Sequence, residues 1–376
     1  MLNRRQAFLV LNALPHLGPI TLRHLLNAFD NDPVAVLQGQ SSKLKQVEGV
    51  GVKIVETLVH WKDHFDLEQE ERHLAAKGAR FITWDDEDYP VLLRQTYDPP
   101  IGLYWMGQSM GDQPGVAIVG SRRTTLYGQA VARKLAAGLA RHGYWVISGL
   151  ARGIDSAAHQ GALEVDGGRT GGVLGCGIDI IYPPENLDLY RRMSAEGAVV
   201  SEFPFGRRAD RQSFPMRNRV VAGMCQGLVV VESDVHGGSM ISARFAMEQN
   251  RQVFAVPGRI DQATSQGCHQ LIRDGAVLVT CVEDILAELG YGAQINLNLG
   301  ETDVTTADNL PPAPKLDGDE ALVHAALGGG EDADPDSLAD RLNVPVSRVA
   351  SALVMLEMKR LVVRRADGRY EAGLGR

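Results

Sequence analysis

Val116-Ala117-Ile118-Val119-Gly120-Ser121-Arg122 and, further along, Tyr144-Trp145-Val146-Ile147-Ser148-Gly149 are the stretches on which the fold turns. Each is a continuous apolar run ending in Gly or Ser, the pattern of a parallel strand buried on both faces. The pattern recurs at Thr170-Gly171-Gly172-Val173-Leu174-Gly175, Ala198-Val199-Val200-Ser201, Leu228-Val229-Val230-Val231 and Val253-Phe254-Ala255-Val256. Helical periodicity at 128–142, 154–165 and 239–249 falls between several of these runs. Right-handed crossovers then predict an α/β fold, an extended Rossmann-like doubly wound sheet. A ligand of such a sheet lies outside the carboxyl ends of the strands, where this chain has placed its Gly, Ser and Arg residues.

Working outward, residues 1–80 read as a helical domain, 81–291 as the sheet domain, 292–317 as a linker and 318–376 as a small terminal domain. The helical domain holds two copies of an apolar turn feeding an amphipathic helix, at Leu17-Gly18-Pro19-Ile20 and Val47-Glu48-Gly49-Val50-Gly51-Val52. The second resembles a helix-hairpin-helix, whose Gly-x-Gly turn aims backbone N–H groups at a phosphate. A sterile alpha motif-like bundle that uses the glycines only for tight turns fits the same residues. The linker gathers Asn, Thr, Asp and Pro and ends Pro311-Pro312-Ala313-Pro314. After it, helical patterns at 319–327, 335–342 and 346–359 and a hairpin with its turn at Asp367-Gly368 describe a winged helix. Its helix 346–359 offers only Ser347, Arg348 and Ser351 near its start. That points to a protein–protein or auxiliary DNA role, weak duplex contact included, rather than to sequence-specific reading.

The 376 residues are 44% hydrophobic and 6% aromatic, which excludes a disordered or collagen-like chain. Cys176, Cys225, Cys268 and Cys281 lie far apart with no CxxC pair, so free thiols in a reducing cytoplasm are expected, with no metal or other cofactor. Arg4 and Arg5 ahead of Ala7-Phe8-Leu9-Val10-Leu11 imitate a signal peptide, but Asn12, Pro15 and His16 interrupt the apolar run. Leu9, Leu11 and Leu14 are expected in a helical core instead, and no apolar stretch is long enough to predict a membrane span.

The first turn, Gly120-Ser121-Arg122-Arg123-Thr124-Thr125, is not the G-x-G-x-x-G of a dinucleotide site, and no Walker motif occurs. What remains is a row of small residues and arginines able to hold phosphates with amides and guanidinium forks. The row comprises Arg122, the turn Ser148-Gly149-Leu150-Ala151-Arg152-Gly153 and the helix start Gly237-Gly238-Ser239. The segment FGRRADRQSFPMRNR at 205–219 sets Arg207, Arg208, Arg211, Arg217 and Arg219 around Phe214 with one acid, Asp210. Interleaved cations and an aromatic suit a single strand: cations track its backbone, and a base stacked on the ring contributes about 1–3 kcal/mol. A core Phe214, with Arg217 and Arg219 in internal ion pairs, is the competing reading. Asp155 and His159 stand four apart on a helix, where capping and hydrogen bonding explain them better than acid–base chemistry.

These ordered motifs resemble the DNA-processing protein A (DprA/Smf) family. They include Ser148-Gly149-Leu150-Ala151-Arg152-Gly153-Ile154-Asp155, Leu174-Gly175-Cys176-Gly177-Ile178-Asp179 with Tyr182-Pro183-Pro184-Glu185-Asn186, Ser201-Glu202-Phe203-Pro204, Phe214-Pro215-Met216-Arg217-Asn218-Arg219 and Ala255-Val256-Pro257-Gly258. The resemblance implies a non-enzymatic protein that binds single-stranded DNA, protects it and promotes RecA loading during natural transformation. It implies a DNA pocket at Ser121, Arg122, Arg152 and the 211–214 segment, with Phe214 stacking a base. Together with the residues read above, the candidate DNA contacts are Gly120, Ser121, Arg122, Arg123, Thr124, Gly149, Arg152, Arg207, Arg208, Arg211, Phe214, Arg217, Asn218, Gly237, Gly238 and Ser239. It also implies a homodimer with His269, Ile272 and Leu278 at its interface. Arg211 stands where the family often has Lys, Gly237-Gly238-Ser239 where Ser-Gly-Ser is usual, and His269 where many members have Asn. A nucleotide phosphoribohydrolase of the same superfamily would want P-G-G-x-G-T, where this chain reads His236-Gly237-Gly238-Ser239-Met240-Ile241, with Glu248 downstream. A winged-helix duplex regulator is the third alternative.

The net charge of -8, from 38 Lys+Arg against 46 Asp+Glu, at first argues against an acidic partner. Acids, however, gather at 85–88, 301–308 and 331–336, while cations concentrate at 207–219, so one basic groove on an acidic chain is expected.

Overall fold

The computed structural model describes residues 2–210, 213–290, 316–327, 332–359, 361–365 and 368–372. The chain divides into two compact units, Met1–Asn298 and Leu299–Arg376. No helix among the described residues is long and apolar enough to cross a membrane.

The first unit opens with helices α1 (Arg4–Ala13), α2 (Pro19–Ala28), α3 (Pro33–Leu37), α4 (Ser41–Leu44), α5 (Val52–Val59), α6 (Trp61–His64) and α7 (Leu67–Lys77). A capping box starts α1: Gln6 N–H donates to Asn3 Oδ1 at 2.8 Å and Asn3 N–H to Gln6 Oε1 at 2.9 Å. Leu9, Leu11 and Leu14 are buried as expected. The two apolar turns lead into α2 and α5, each capped by a glycine, Gly18 and Gly51. These helices do not form a separate core: Phe8, Leu11 and Leu25 share one apolar cluster with Phe81, Tyr104, Leu174 and Met193 of the sheet region. Polar ties close the same seam. Arg4 pairs with Asp85 and Arg5 with Asp86, each at 2.7 Å, and Tyr104 Oη donates to the buried Glu70 Oε1 at 2.6 Å.

The sheet has nine strands in the order β1-β2-β6-β5-β4-β3-β7-β8-β9. They are β1 (Arg80–Thr83), β2 (Gly102–Gly107), β3 (Gly115–Gly120), β4 (Trp145–Ser148), β5 (Thr170–Leu174), β6 (Ala198–Ser201), β7 (Gly227–Glu232), β8 (Gln252–Ala255) and β9 (Val277–Leu278). The pairs from β6 through β9 are parallel, and all six strands expected from apolar runs are present. Alternation within β3 explains why those runs are continuous. Val116 and Ile118 pack on one face against α9 (Leu126–Arg141) and α10 (Ile154–Leu163). Ala117 and Val119 face the layer of α12 (Ser213–Gly223), α13 (Gly238–Glu248) and α14 (Ala263–Arg273). Helices α8 (Val91–Arg94), α11 (Leu187–Glu196) and α15 (Val282–Glu288) complete the unit. The structure adds an antiparallel flank, β1 on β2 on β6, and the two-residue edge β9. The flank is hidden in sequence because the Pro99-Pro100 lead-in to β2 reads as loop, and β9 is too short to show a period.

Two buried polar groups on this frame are purely internal. Thr170 Oγ1 donates its hydrogen to Val146 O at 2.6 Å, so at 2.7 Å it accepts from His159 Nδ1–H. That fixes the neutral tautomer and leaves Nε2 buried with no partner. Burial therefore pulls the imidazole from its ordinary 6.5 down to about 3. Arg219 of α12, also buried, donates to Asp98 O at 2.6 Å and is ion-paired with Glu202, which burial pushes toward protonation and Arg219 holds back.

The second unit contains α16 (Gly318–Ala326), α17 (Pro335–Leu342) and α18 (Val346–Met358), with strands β10 (Asp332–Ala333), β11 (Val362–Arg364) and β12 (Tyr370–Ala372) in the order β10-β12-β11. This is the expected winged helix, with one more short strand than the hairpin alone. Asp317, assigned to the linker by composition, is the N-cap of α16: Glu320 N–H donates to its Oδ1 at 2.9 Å. The other linker residues lie outside the described ones, Leu316 excepted.

Because the folded His159 resists a proton that the unfolded one accepts, stability falls as pH drops from 6.5 to about 3, by about 1.4 kcal/mol per unit from this group. His159→Asn should flatten that limb in urea titrations at successive pH values; a slope equal to wild type would overturn the assignment. Arg219→Ala leaves Glu202 and Asp98 without their cation and should cost about 3–5 kcal/mol in the same assay.

Candidate nucleic-acid interface

The carboxyl ends of β3, β4 and β7 frame a cleft of about 540 Å³, walled on the other side by α12 and the start of α13. Gly120, Ser121, Arg122, Arg123, Gly149, Phe214, Arg217, Asn218, Gly237, Gly238 and Ser239 line it, bringing together most of the candidate set. Three turns build it.

The first turn is held from below. Ser121 N–H donates to Glu232 O at 2.7 Å, and the Glu232 carboxylate, 4% exposed, accepts from Thr124 Oγ1 at 2.5 Å, Thr125 N–H at 2.9 Å and Thr125 Oγ1 at 2.6 Å. Thr124 is thus spent on its own loop. The same grip frees Arg122 to reach across the cleft, where its guanidinium carbon lies 4.9 Å from the centroid of the Phe214 ring.

The second turn wraps a buried carboxylate. Asp155 Oδ2 accepts from Gly149 N–H at 3.1 Å and Ala151 N–H at 3.3 Å, and Leu150 and Gly153 turn the backbone through positive φ at 54° and 79°. Asp155 and His159 therefore do separate structural work, the first on this turn and the second on Thr170. Arg152 is paired with Glu185 at the surface and lines a narrow crevice beside the cleft.

The third element is α12, with the loop before it and the start of α13 after it. Arg217 is 5% exposed, donates from Nη1 to Val173 O at 2.9 Å, and leaves Nε without a hydrogen-bond partner. Burial lowers its pKa, Asp155 opposes that and Arg122 adds to it; burial raises that of Asp155, against the pull of Arg217 and the two amides. A Cβ at position 149 would collide with the Arg217 guanidinium, so the glycine there is required by close approach. Phe214 is half-buried and packs against the ring of Tyr182 at 5.7 Å. The α13 end carries no side-chain cap, while Ser239 Oγ donates to Ser233 Oγ at 2.7 Å and Asn218 Nδ2 to Gly238 O at 3.4 Å.

The remaining described candidates lie apart from the cleft. Arg207 is paired with Asp210 at 2.6 Å, Arg208 lines a separate pocket beyond Phe214, and Arg211 falls outside the described residues. His269 faces Gly258 O at 2.9 Å and Ile272 packs toward the core, whereas Leu278 on the edge strand β9 is 46% exposed. Sequence reading missed Glu232 and the electrostatic coupling of Asp155 with Arg217. Their only signal was a charge at the end of an apolar strand and an arginine inside a helix that otherwise buries Val220 and Val221.

The family model described as DNA recombination-mediator protein A matches residues 80–290, and one described as the DprA winged helix domain matches 307–368. The protein Smf of Escherichia coli is 35% identical over 344 residues, 90% of this chain and 87% of that protein. The Smf protein of Synechocystis is 38% identical over 303 residues, covering 77% of this chain and 74% of its own length. The X-ray structure of DNA processing protein A from Streptococcus pneumoniae superposes with a TM-score of 0.67 at 33% identity, over 77% of this chain and 99% of that one. A structure of the Helicobacter pylori protein, described for its single-stranded DNA binding mode, gives 0.51 at 30% identity, over 57% and 97%. With both of its folded units matched and its strand-end turns in place, the chain belongs to the DNA-processing protein A (DprA/Smf) family.

Proposed function

We propose that this protein binds single-stranded DNA in the cleft at the strand ends and acts as a recombination mediator that protects the strand and promotes RecA loading. The carrying observation is the Arg122–Phe214 contact at 4.9 Å in a cleft that also presents Gly237 and Gly238 at the start of α13. Cations beside an aromatic ring hold backbone and base together, and helix-terminal amides donate to a phosphate without reading sequence. The Helicobacter pylori relative, characterised for single-stranded DNA binding, supports the same reading. Leu278 on the open edge of the sheet supports a homodimer, which would place two clefts on one strand and raise avidity. We assign the protein to the cytoplasm, in keeping with the free cysteines.

The alternatives find less in the geometry. A hydrolase would use Glu248, which sits at the far end of α13, about 15 Å along the helix from Gly238, and is paired with Arg244. A duplex reader would use Arg348 of α18, which is held by Asp319 at 2.7 and 2.5 Å.

Fluorescence anisotropy with labelled oligo-dT at several salt concentrations tests the proposal. Affinity should fall with salt, and Arg122→Ala should weaken binding and reduce the logarithmic salt slope by about 0.7. Equal affinity at low and high salt would overturn it. A chain ending at residue 290 should keep most of its oligo-dT affinity, and loss of binding there would move the site to the winged helix.

A further inference from the structure

The ring expected to stack a base is not the most open ring at the site. Phe214 has the Arg122 guanidinium 4.9 Å from its centroid and the Tyr182 ring against it, tilted by 44°. Tyr182 itself keeps 42% of its surface exposed. Beyond this pair lies a second pocket of about 540 Å³ that meets the first cleft only at Phe214. Ile180, Tyr182, Gly206, Arg208 and Ala209 line the rest of it. Its chemistry is one aromatic wall, one aliphatic contact, two small residues that leave room for a ring, and one cation, with no carboxylate among the described lining residues. A narrow crevice lined by Arg122, Arg152, Tyr182 and Phe214 shares Arg122 and Phe214 with the first cleft and Tyr182 and Phe214 with the second pocket, which puts two guanidinium groups beside the border of the two sites.

We propose that Tyr182 is a second base platform and that this pocket holds the nucleotide following the one at Phe214, its phosphate meeting Arg208. The proposal rests on the single-strand reading above and extends the strand's path past the strand-end cleft. Sequence-tolerant stacking is what such a platform supplies, because every base has a π face.

The test compares oligo-dT with an abasic oligonucleotide of equal length. Tyr182→Ala should weaken oligo-dT binding about 5- to 150-fold while leaving abasic affinity and the salt slope unchanged. Tyr182→Phe should stay within about twofold of wild type. Tyr182→Leu, which keeps packing against Phe214 but has no π face, should follow the alanine variant. Wild-type affinity for oligo-dT in the alanine and leucine variants, or equal losses on both oligonucleotides, would overturn the second platform. Those outcomes leave the single-strand reading intact, since the wild type still binds. Failure of the wild type to bind oligo-dT at low salt would overturn both.

Discussion

A guanidinium buried where strand ends meet is the constraint on which the site depends. Arg217 donates to the end of β5, presses on Gly149 at the end of β4, and is coupled to Asp155 at the start of α10. Taking a charge out of water costs several kcal/mol, so it persists only where the surroundings are fixed around it. Asp155 converts that requirement into a loop shape by accepting the Gly149 and Ala151 N–H groups. Phe214 lies three residues before Arg217 on the same helix and hence on the same face, so the anchor of one places the other. The opposite wall is fixed independently by Glu232. Between two such anchors, the long Arg122 side chain meets the Phe214 ring.

What the sequence could and could not say follows from the same physics. Strands buried on both faces announce themselves as apolar runs, and β3 to β8 were legible for that reason. The antiparallel flank was not, because β1 and β2 depend on each other and on β6 for pairing, and local composition carries no trace of a partner. At the site, residue types were legible but their loyalties were not. Arg122, Arg217 and Arg219 look alike in one dimension; in three, the first faces the cleft, the second is buried beneath it, and the third is bound to Glu202 and Asp98. The partners of these three arginines lie 17 to 121 residues away, so nothing local distinguishes a cleft-facing cation from a structural one.

The acidic balance of the chain is resolved in the same way. Asp85, Asp86 and Asp88 are each paired: the first two, with Arg4 and Arg5, bind the helical segment to the sheet, and the third is paired with Arg80 of β1 itself. They contribute a seam, not a repulsive field at the cleft. Around the cleft the Asp155 charge is offset by Arg217 and by backbone amides, and Arg122 and Arg123 outnumber the one other carboxylate of the lining, Asp234.

The stacking of Arg122 on Phe214 gives the site the character of a coincidence detector. A free anion draws the guanidinium away only by stripping the ring of its cover, and a free ring must displace a cation–π contact of about 0.5–2 kcal/mol without offering the cation anything in return. A ligand that brings charge and a flat face joined at a fixed spacing compensates both losses at once. Inorganic phosphate, free bases and acidic peptides each hold half of that key, whereas a polynucleotide strand repeats the whole of it at every residue.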